Sequence, residues 1–177
     1  MKPNKKHLHA LHRVIMGASS VVTFSDTDQW NIQTHLAVAA AKIKLLKLQP
    51  FYTEVLKWTE KELVKIEFAK GMEYFVFAGD LDERFDLLTL LKAFSLFKKW
   101  QQSNMQLVIV GNKTSVTSPL SEKLASFKYR DDVHLLVNQT TAKVQRIIAG
   151  AYAFVYPVLY EYFPITILQA MQAEVPV

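Results

Sequence analysis

The sequence predicts an α/β fold in which a doubly wound parallel sheet is covered by helices on both faces. Short apolar runs rich in Val, Ile, Phe and Tyr recur along the chain, and stretches with helical periodicity separate them. The runs are apolar nearly throughout, which is typical of strands that are buried on both faces. Parallel strands need a crossover connection, and helices of this size supply it.

The predicted elements alternate regularly from residue 71 onward. Helices are predicted for "DLLTLLKAFSLFKKW" (86–100), "SPLSEKLASF" (118–127) and "TTAKVQRIIAG" (140–150), the last of which stops at Gly150. Strands are predicted for the runs 20–24, 42–46, 73–79, 106–111, 133–137 and 151–157, and a further strand from Val175.

The first 70 residues are organised differently. Residues 1–50 have the pattern of helix, strand, helix, strand, and "SDTD" at 25–28 caps the second helix. Residues 51–70 are predicted to form an amphipathic helix, either a linker between two domains or an extra helix on the sheet. Its predicted apolar stripe consists of Val55, Trp58, Leu63 and Ile66.

The composition excludes several classes of protein. The 177 residues contain no cysteine, which rules out disulfides and thiolate metal sites and fits a reducing compartment such as the cytoplasm. The sequence has no apolar window of about eighteen residues that could span a membrane. His7, His9 and His12 share one segment without a helical HExxH pattern or a nearby carboxylate, so no metal site is predicted.

The chain is basic, with a formal charge of +5. The excess is either an ordinary surface charge or a face that contacts a phosphorylated ligand or anionic lipid, as in a peripheral membrane protein. The lysines are scattered and do not interleave with aromatic residues in any known reader motif, which argues against nucleic acid as a partner.

Ligands of open α/β sheets bind beyond the carboxyl ends of the strands. Gly79 and Gly111 follow two of the predicted strands and allow a ligand to approach the backbone closely. The stretch Pro164 to Ile167 leads into a helix, whose first N–H groups and positive dipole end favour a phosphate. Neither GxGxxG nor GxxxxGK[ST] occurs, which disfavours dinucleotide oxidoreductases and P-loop NTPases.

Several stretches follow one another in a recognisable order: "YFVFAGDLDERFDLLTLLKAFSLFKKW", "LVIVGN", "DDVHLLV" and "AYAFVYPVLYEYFPITILQAMQAEVPV". They resemble the second domain of the group 1 glycosyltransferases, enzymes of the GT-B architecture with two Rossmann-like domains. "ASSVVTFSDTDQWNIQTH" resembles the last strand and helix of that family's first domain. The resemblance implies that residues 1–50 end an acceptor-side domain, 51–70 form a linker helix and 71–177 form an incomplete nucleotide-sugar-binding domain.

The resemblance implies an enzyme that transfers a sugar, with retention, from a nucleotide-diphosphate donor to a carbohydrate or lipid-linked acceptor, as in polysaccharide biosynthesis. It implies no metal and no cofactor besides the donor substrate. Glu161 corresponds to the family's first glutamate, near the donor sugar, and Gln169 to the second, which binds the ribose. The remaining residues implied in donor binding are Gly79, Arg84, Gly111, Asn112, Lys113, Phe163, Pro164, Ile165 and Thr166.

The sequence departs from the family at the diphosphate site. The family has an arginine after the first glycine and a lysine five residues later, and here these positions are Asp80 and Phe85. An aspartate there repels a diphosphate, so that Arg84 or Lys113 would have to supply the cation. Further departures are Tyr162 and Pro164 at usual glycines, Thr166 at a usual proline, and Glu174 at a usual glycine.

Two other functions remain open at the level of the sequence. The departures favour a degenerate, non-catalytic homologue that acts as a binding or scaffold module. A flavodoxin-like receiver domain is disfavoured, because no acidic cluster at the first strand end is matched by a later lysine in the required arrangement.

Overall fold

The structure is a computed structural model that describes residues 5–47, 53–82, 84–112, 117–159 and 164–177, without the side chains of residues 5–8 and 117–119. The chain divides into two compact units, Met1–Gln49 and Pro50–Val177.

The first unit has the predicted order of helix, strand, helix and strand. It consists of α1 (Lys5–Gly17), β1 (Val21–Thr23), α2 (Asp26–Leu36) and β2 (Ile43–Leu45). The two strands pair in parallel, with Val21 opposite Ile43. As predicted, Ser25 caps α2, because its Oγ accepts a hydrogen bond from the N–H of Asp28 at 3.0 Å.

The second unit is a four-stranded parallel sheet with helices on both faces, which confirms the predicted fold class. Its elements are α3 (Trp58–Ala69), β3 (Tyr74–Ala78), α4 (Leu87–Gln101), β4 (Gln106–Gly111), α5 (Thr117–Ala125), β5 (Val133–Val137), α6 (Thr141–Ala149), β6 (Ala153–Phe154) and α7 (Ile165–Gln172). The strand order is β5-β4-β3-β6, and every neighbouring pair is parallel.

The two faces of this sheet belong to separate hydrophobic clusters. Tyr74, Val76 and Ala78 of β3 pack in the cluster that includes residues of α3, α6 and α7. Phe77, which lies between them in sequence, packs in the other cluster together with Leu91 of α4. This period of two follows from the pleat of a strand, and it explains why the strands are apolar throughout.

The strand order locates the ligand-binding edge of the sheet. The chain runs outward from β3 through β4 to β5, and then returns to place β6 on the other side of β3. The order therefore reverses between β3 and β6. Ligands of open α/β sheets bind beyond the carboxyl ends of the strands at such a switch point.

The structure corrects the predicted packing of the helix in residues 51–70. The described helix α3 begins at Trp58, and its buried apolar residues are Val64 and Ala69 rather than the predicted stripe. The members of that stripe are all exposed: Val55, Trp58, Leu63 and Ile66. The smaller residues face the sheet because α3 approaches Gly150 closely; a Cβ added there would lie 2.7 Å from Cγ1 of Val64.

Of the last two predicted strands, the first is shorter than expected and the second is not formed. Of residues 151–157 only Ala153–Phe154 pair as a strand, and Val175 does not begin a strand. The N–H of Phe154 does donate to the carbonyl oxygen of Pro176 at 2.7 Å. A single hydrogen bond of this kind is less than a strand ladder requires.

Candidate functional site

A cavity of about 330 Å³ lies at the carboxyl ends of the strands of the second unit. Its walls come from the ends of β3 and β4, from the segment between β5 and α6, from Tyr156 after β6 and from the start of α7. The lining residues are Ala78, Gly79, Asp80, Arg84, Phe85, Val110, Gly111, Asn112, Gln139, Thr141, Val144, Tyr156, Ile165 and Thr166.

Two glycines bring the ends of β3 and β4 together at the base of this cavity. The N–H of Gly79 donates to the carbonyl oxygen of Val110 at 3.1 Å. A Cβ atom at position 111 would overlap the carbonyl oxygen of Gly79 and would also touch Leu81. Glycine is therefore required at Gly111 by the close approach of two backbones.

Arg84 lies in the cavity wall, and two carboxylates bind it. Its Nε donates to Oδ1 and Oδ2 of Asp82 at 3.1 and 3.0 Å, and its Nη2 donates to Oδ2 of Asp82 at 2.8 Å. The same Nη2 donates to Oδ2 of Asp80 at 2.9 Å. The hydrogen bonds from the Arg84 side chain lower the pKa of Asp82, so that this carboxylate is charged at neutral pH.

Asp80 also holds a second polar group of the cavity. The side-chain Nδ2 of Asn112 donates to Oδ1 of Asp80 at 3.0 Å. One carboxylate therefore joins the residue after β4 to the cation in the loop after β3. Among the described lining residues Arg84 is the only cationic side chain, and Asp80 and Asp82 together outweigh its charge.

The segment that carries Arg84 is anchored to the chain after β6. Phe85 forms an antiparallel bridge with Val158. The N–H of Asp86 donates to the carbonyl oxygen of Pro157, and the N–H of Leu159 donates to that of Arg84, at 2.9 and 2.8 Å. The backbone of Arg84 is therefore held by the chain that follows β6, and not by its own loop alone.

The start of α7 forms the opposite wall. Ile165 and Thr166 line the cavity, and Pro164 occupies the N-cap position, where it makes no side-chain capping bond. Gln169 is one helical turn further on and only 6% exposed; it does not line the cavity. Residues four apart share one face of a helix, so Gln169 lies directly behind Ile165.

The structure brings together six of the predicted site residues in one cavity: Gly79, Arg84, Gly111, Asn112, Ile165 and Thr166. Pro164 adjoins them at the N-cap of α7. Glu161, Lys113 and Phe163 lie outside the described residues, and the binding role of all ten donor-site residues stays a prediction.

Five polar or aromatic lining residues are not among those predicted from the sequence: Asp80 and Phe85, which the sequence shows only as departures from the family, together with Tyr156, Gln139 and Thr141. The signal for the last two was present, since "NQTT" follows the strand "VHLLV" and Thr140 caps α6. Within the described residues no three His, Asp or Glu side chains are grouped so as to hold a metal ion. No helix in the described ranges has the length and apolarity that crossing a membrane requires.

The fold of the second unit is of the doubly wound α/β class, with a cavity at the carboxyl ends of its strands. The chain belongs to the family of group 1 glycosyl transferases, whose family model matches residues 59–177. No curated protein sequence matches the chain significantly.

Solved structures of similar fold are glycosyltransferases. WaaG, a glycosyltransferase involved in lipopolysaccharide biosynthesis, is 20% identical with a TM-score of 0.78, and the match covers 97% of this chain and 48% of WaaG. HepE of Anabaena, in complex with UDP and glucose, is 14% identical with a TM-score of 0.81, and the match covers 99% and 48% of the two chains.

A mutant of S. aureus TarM, in complex with fondaparinux, alpha-GlcNAc-glycerol and UDP, is 15% identical with a TM-score of 0.76. That match covers 98% of this chain and 32% of TarM. The chain therefore spans about half the length, or less, of these glycosyltransferases.

Proposed function

We propose that this chain supplies the donor-binding part of a glycosyltransferase that moves a sugar from a nucleotide diphosphate to a carbohydrate or lipid-linked acceptor, with retention. The observation that carries the proposal is the cavity at the switch point, where Gly79, Gly111 and the first residues of α7 meet. Its volume of about 330 Å³ is within the usual range of small-molecule sites. HepE and TarM, which share the fold, are in complex with UDP.

The proposed roles follow the elements that line the cavity. Gly111 lets the diphosphate approach the backbone, and the N–H groups at the start of α7 face its negative charge. Gln169 would bind the ribose through its amide, which in the observed arrangement is buried behind Ile165, and Glu161 would lie beside the donor sugar as the catalytic residue. Residues 1–50 belong to the acceptor side, 51–70 connect the domains and 71–177 hold the donor.

Sugar transfer also requires that the charge developing on the departing diphosphate be stabilised. Of the described lining residues, Arg84 carries the only cation that could contribute, and Lys113 is the second candidate. In the observed arrangement Arg84 is bound to Asp80 and Asp82. Donor binding would therefore have to compete with these two ion pairs.

The ion pairs of Arg84 favour a second candidate, a non-catalytic homologue that serves as a binding or scaffold module. In such a protein the cavity would hold the nucleoside or a glycan precursor without a diphosphate. The pairing of Arg84 with Asp80 and Asp82 would then have no functional cost.

Isothermal titration calorimetry distinguishes the two candidates. We expect UDP or GDP to bind with micromolar affinity, and the corresponding sugar nucleotide to lose affinity on Glu161→Ala because this residue is proposed to lie beside the sugar. Glu122→Ala, an exposed carboxylate on α5, is the matched control and should bind as the wild type does. No binding of any nucleotide or sugar nucleotide would contradict the enzyme and leave the scaffold.

We further propose that the reaction takes place in the cytoplasm and contributes to polysaccharide biosynthesis. A chain without cysteine forms no disulfides, which fits a reducing compartment. A net charge of +5 supports peripheral contact with an anionic membrane, where a lipid-linked acceptor would reside. Sedimentation with phosphatidylglycerol vesicles at low and high salt tests this contact, and lack of sedimentation at both would contradict it.

A further inference from the structure

We propose that Asp80 is a specificity-determining residue of this cavity: it engages Arg84 and Asn112 and so weakens the binding of a diphosphate relative to the nucleoside that carries it. The inference rests on the proposed function, because it concerns the ligand of the same site. It is carried by the contacts of one carboxylate with two lining residues.

The first step concerns the geometry of Arg84. A guanidinium binds a carboxylate or a phosphate with the same planar fork of donors. Here Nε and Nη2 are already directed to Asp82, and Nη2 is shared with Asp80. A phosphate that used these donors would have to displace two carboxylates.

The second step concerns Asn112. Its position directly after β4 would allow the side-chain amide to donate to a ligand in the cavity, and it lines that cavity. The amide instead donates to Asp80 at 3.0 Å. Asp80 therefore occupies two donors, one in the loop after β3 and one directly after β4.

The third step concerns charge. The side chain of Asp80 is 45% exposed and lines the cavity directly, whereas Asp82 is not a lining residue. The carboxylate of Asp80 therefore repels a phosphate in the cavity at close range, whereas a neutral nucleoside experiences no such repulsion. This difference in ligand charge makes the effect a matter of specificity.

The fourth step concerns the rigidity of the surroundings. The backbone at Arg84 is bonded to Leu159, and that at Asp86 to Pro157. On the other side of Asp80, the N–H of Gly79 donates to the carbonyl oxygen of Val110 at 3.1 Å. Because the loop is anchored on both sides of Asp80, replacing its side chain should change the charge and the contacts without moving the backbone.

The experiment compares Asp80→Asn with the wild type in calorimetric titrations of the full chain with UDP, GDP, uridine and guanosine. For whichever of UDP and GDP binds the wild type, we expect Asp80→Asn to increase the affinity about tenfold. The affinity for the corresponding nucleoside should stay within twofold of the wild-type value. The control is Asp131→Asn, which removes the same unit of charge from an exposed carboxylate in the turn before β5, at the amino ends of the strands. Asp80→Ser repeats the test with a smaller side chain if Asp80→Asn does not fold, as judged by circular dichroism.

The outcomes are distinguishable. An unchanged diphosphate affinity in Asp80→Asn or Asp80→Ser, with nucleosides still binding, would overturn the role of Asp80 and leave the proposed function intact. An equal gain for nucleoside and diphosphate, or the same gain in Asp131→Asn, would also overturn it. No binding of any of the four ligands to any variant would contradict both the proposed function and this inference.

Discussion

Gly111 and Gly79 form a backbone contact at the base of the cavity that leaves no room for a side chain: a Cβ at position 111 would overlap the carbonyl oxygen of Gly79. Gly79 directly follows β3 and Gly111 ends β4, the neighbouring parallel strand, and the N–H of Gly79 also donates to Val110. The base of the proposed donor site is therefore part of the sheet, so its geometry depends on the fold.

This contact predicts that Gly111→Ala destabilises the second unit. Overpacking of a tight site typically costs about 1–3 kcal/mol, and a clash with backbone lies at the upper end because a carbonyl cannot rotate away as a side chain does. Urea unfolding followed by circular dichroism measures the loss. Gly17→Ala is the control, because a Cβ there meets nothing within 4 Å; a similar loss in both variants would contradict the prediction.

An ion pair between a buried lysine and a half-buried aspartate, at the amino ends of the strands, provides a second prediction. Lys98, with a side chain that is 7% exposed, lies 2.9 Å from Asp132 and also donates to the carbonyl oxygen of Met105. Lys98→Met removes the ammonium that lies beside Asp132 and leaves the carbonyl of Met105 without this donor, and we expect a loss of about 1–2 kcal/mol in the free energy of unfolding.

The matched control for Lys98 is an exposed pair on the same unit. Lys143 lies 3.9 Å from Glu67, and both side chains are more than half exposed. Pairs of this kind contribute little, so Lys143→Met should change the free energy of unfolding by less than about 0.5 kcal/mol. Equal losses of unfolding free energy for the two substitutions would contradict the prediction that burial makes the Lys98 pair the stronger contribution.

His134 predicts a dependence of stability on pH. Burial lowers the pKa of His134 below its ordinary value of 6.5, the charge of Lys70 lowers it further, and Asp132 opposes the shift. The folded state therefore takes up the proton less readily than the unfolded state. The contribution of His134 to the free energy of unfolding is therefore fully present above pH 6.5, the ordinary pKa. It is lost as the pH falls from there through the folded-state pKa.

The measurement is the free energy of unfolding of the wild type and of His134→Gln between pH 7.5 and pH 5. The wild type should lose stability over this window, and His134→Gln should lose less. Glutamine can still donate to Oε1 of Gln106, which lies 2.9 Å from Nε2 of His134. Parallel curves for the two proteins would refute the assignment.

The hydrogen bond of Tyr74 to the end of α6 provides a further prediction about stability. Its hydroxyl is fully buried and donates to the carbonyl oxygen of Ile147 at 2.6 Å, in the last turn of that helix. Burial also raises the pKa of Tyr74, so the hydroxyl stays protonated as a donor. Tyr74→Phe should cost about 1–2 kcal/mol, since a buried acceptor loses its partner.

The control for Tyr74 is Tyr152→Phe, because Tyr152 is 58% exposed. Differential scanning calorimetry should show a clear decrease in Tm for Tyr74→Phe and almost none for Tyr152→Phe. If the two variants melted at the same temperature, the hydrogen bond to Ile147 would not have the proposed role.

Much of the fold could be predicted from the sequence, because the strands of the second unit are long apolar runs that end in turn residues. The predicted runs 106–111 and 133–137 match β4 and β5 at both ends. The face of α3 could not be predicted in the same way. That helix has apolar residues on more than one side, and contact with Gly150, remote in sequence, selects the side with Val64.

The candidate site was predictable in position and less so in electrostatics. Strand-end glycines and the start of α7 are visible as local patterns, and they do line one cavity. The sequence also shows Asp80, Asp82 and Arg84 within five positions. Which of them pair depends on the path of the loop, and that path is set by bonds to Pro157 and Leu159, more than 70 positions further along the chain.

The central claim, that the edge cavity of the second unit binds a nucleotide, is tested most directly by nuclear magnetic resonance. Titration of the ¹⁵N-labelled chain with UDP and GDP should shift the amide signals of Gly79, Gly111, Asn112 and Thr166, which line that cavity. Signals at the opposite edge, such as Gln106 and Asp132, should stay in place. Shifts confined to the opposite edge, or none at millimolar nucleotide, would contradict the claim.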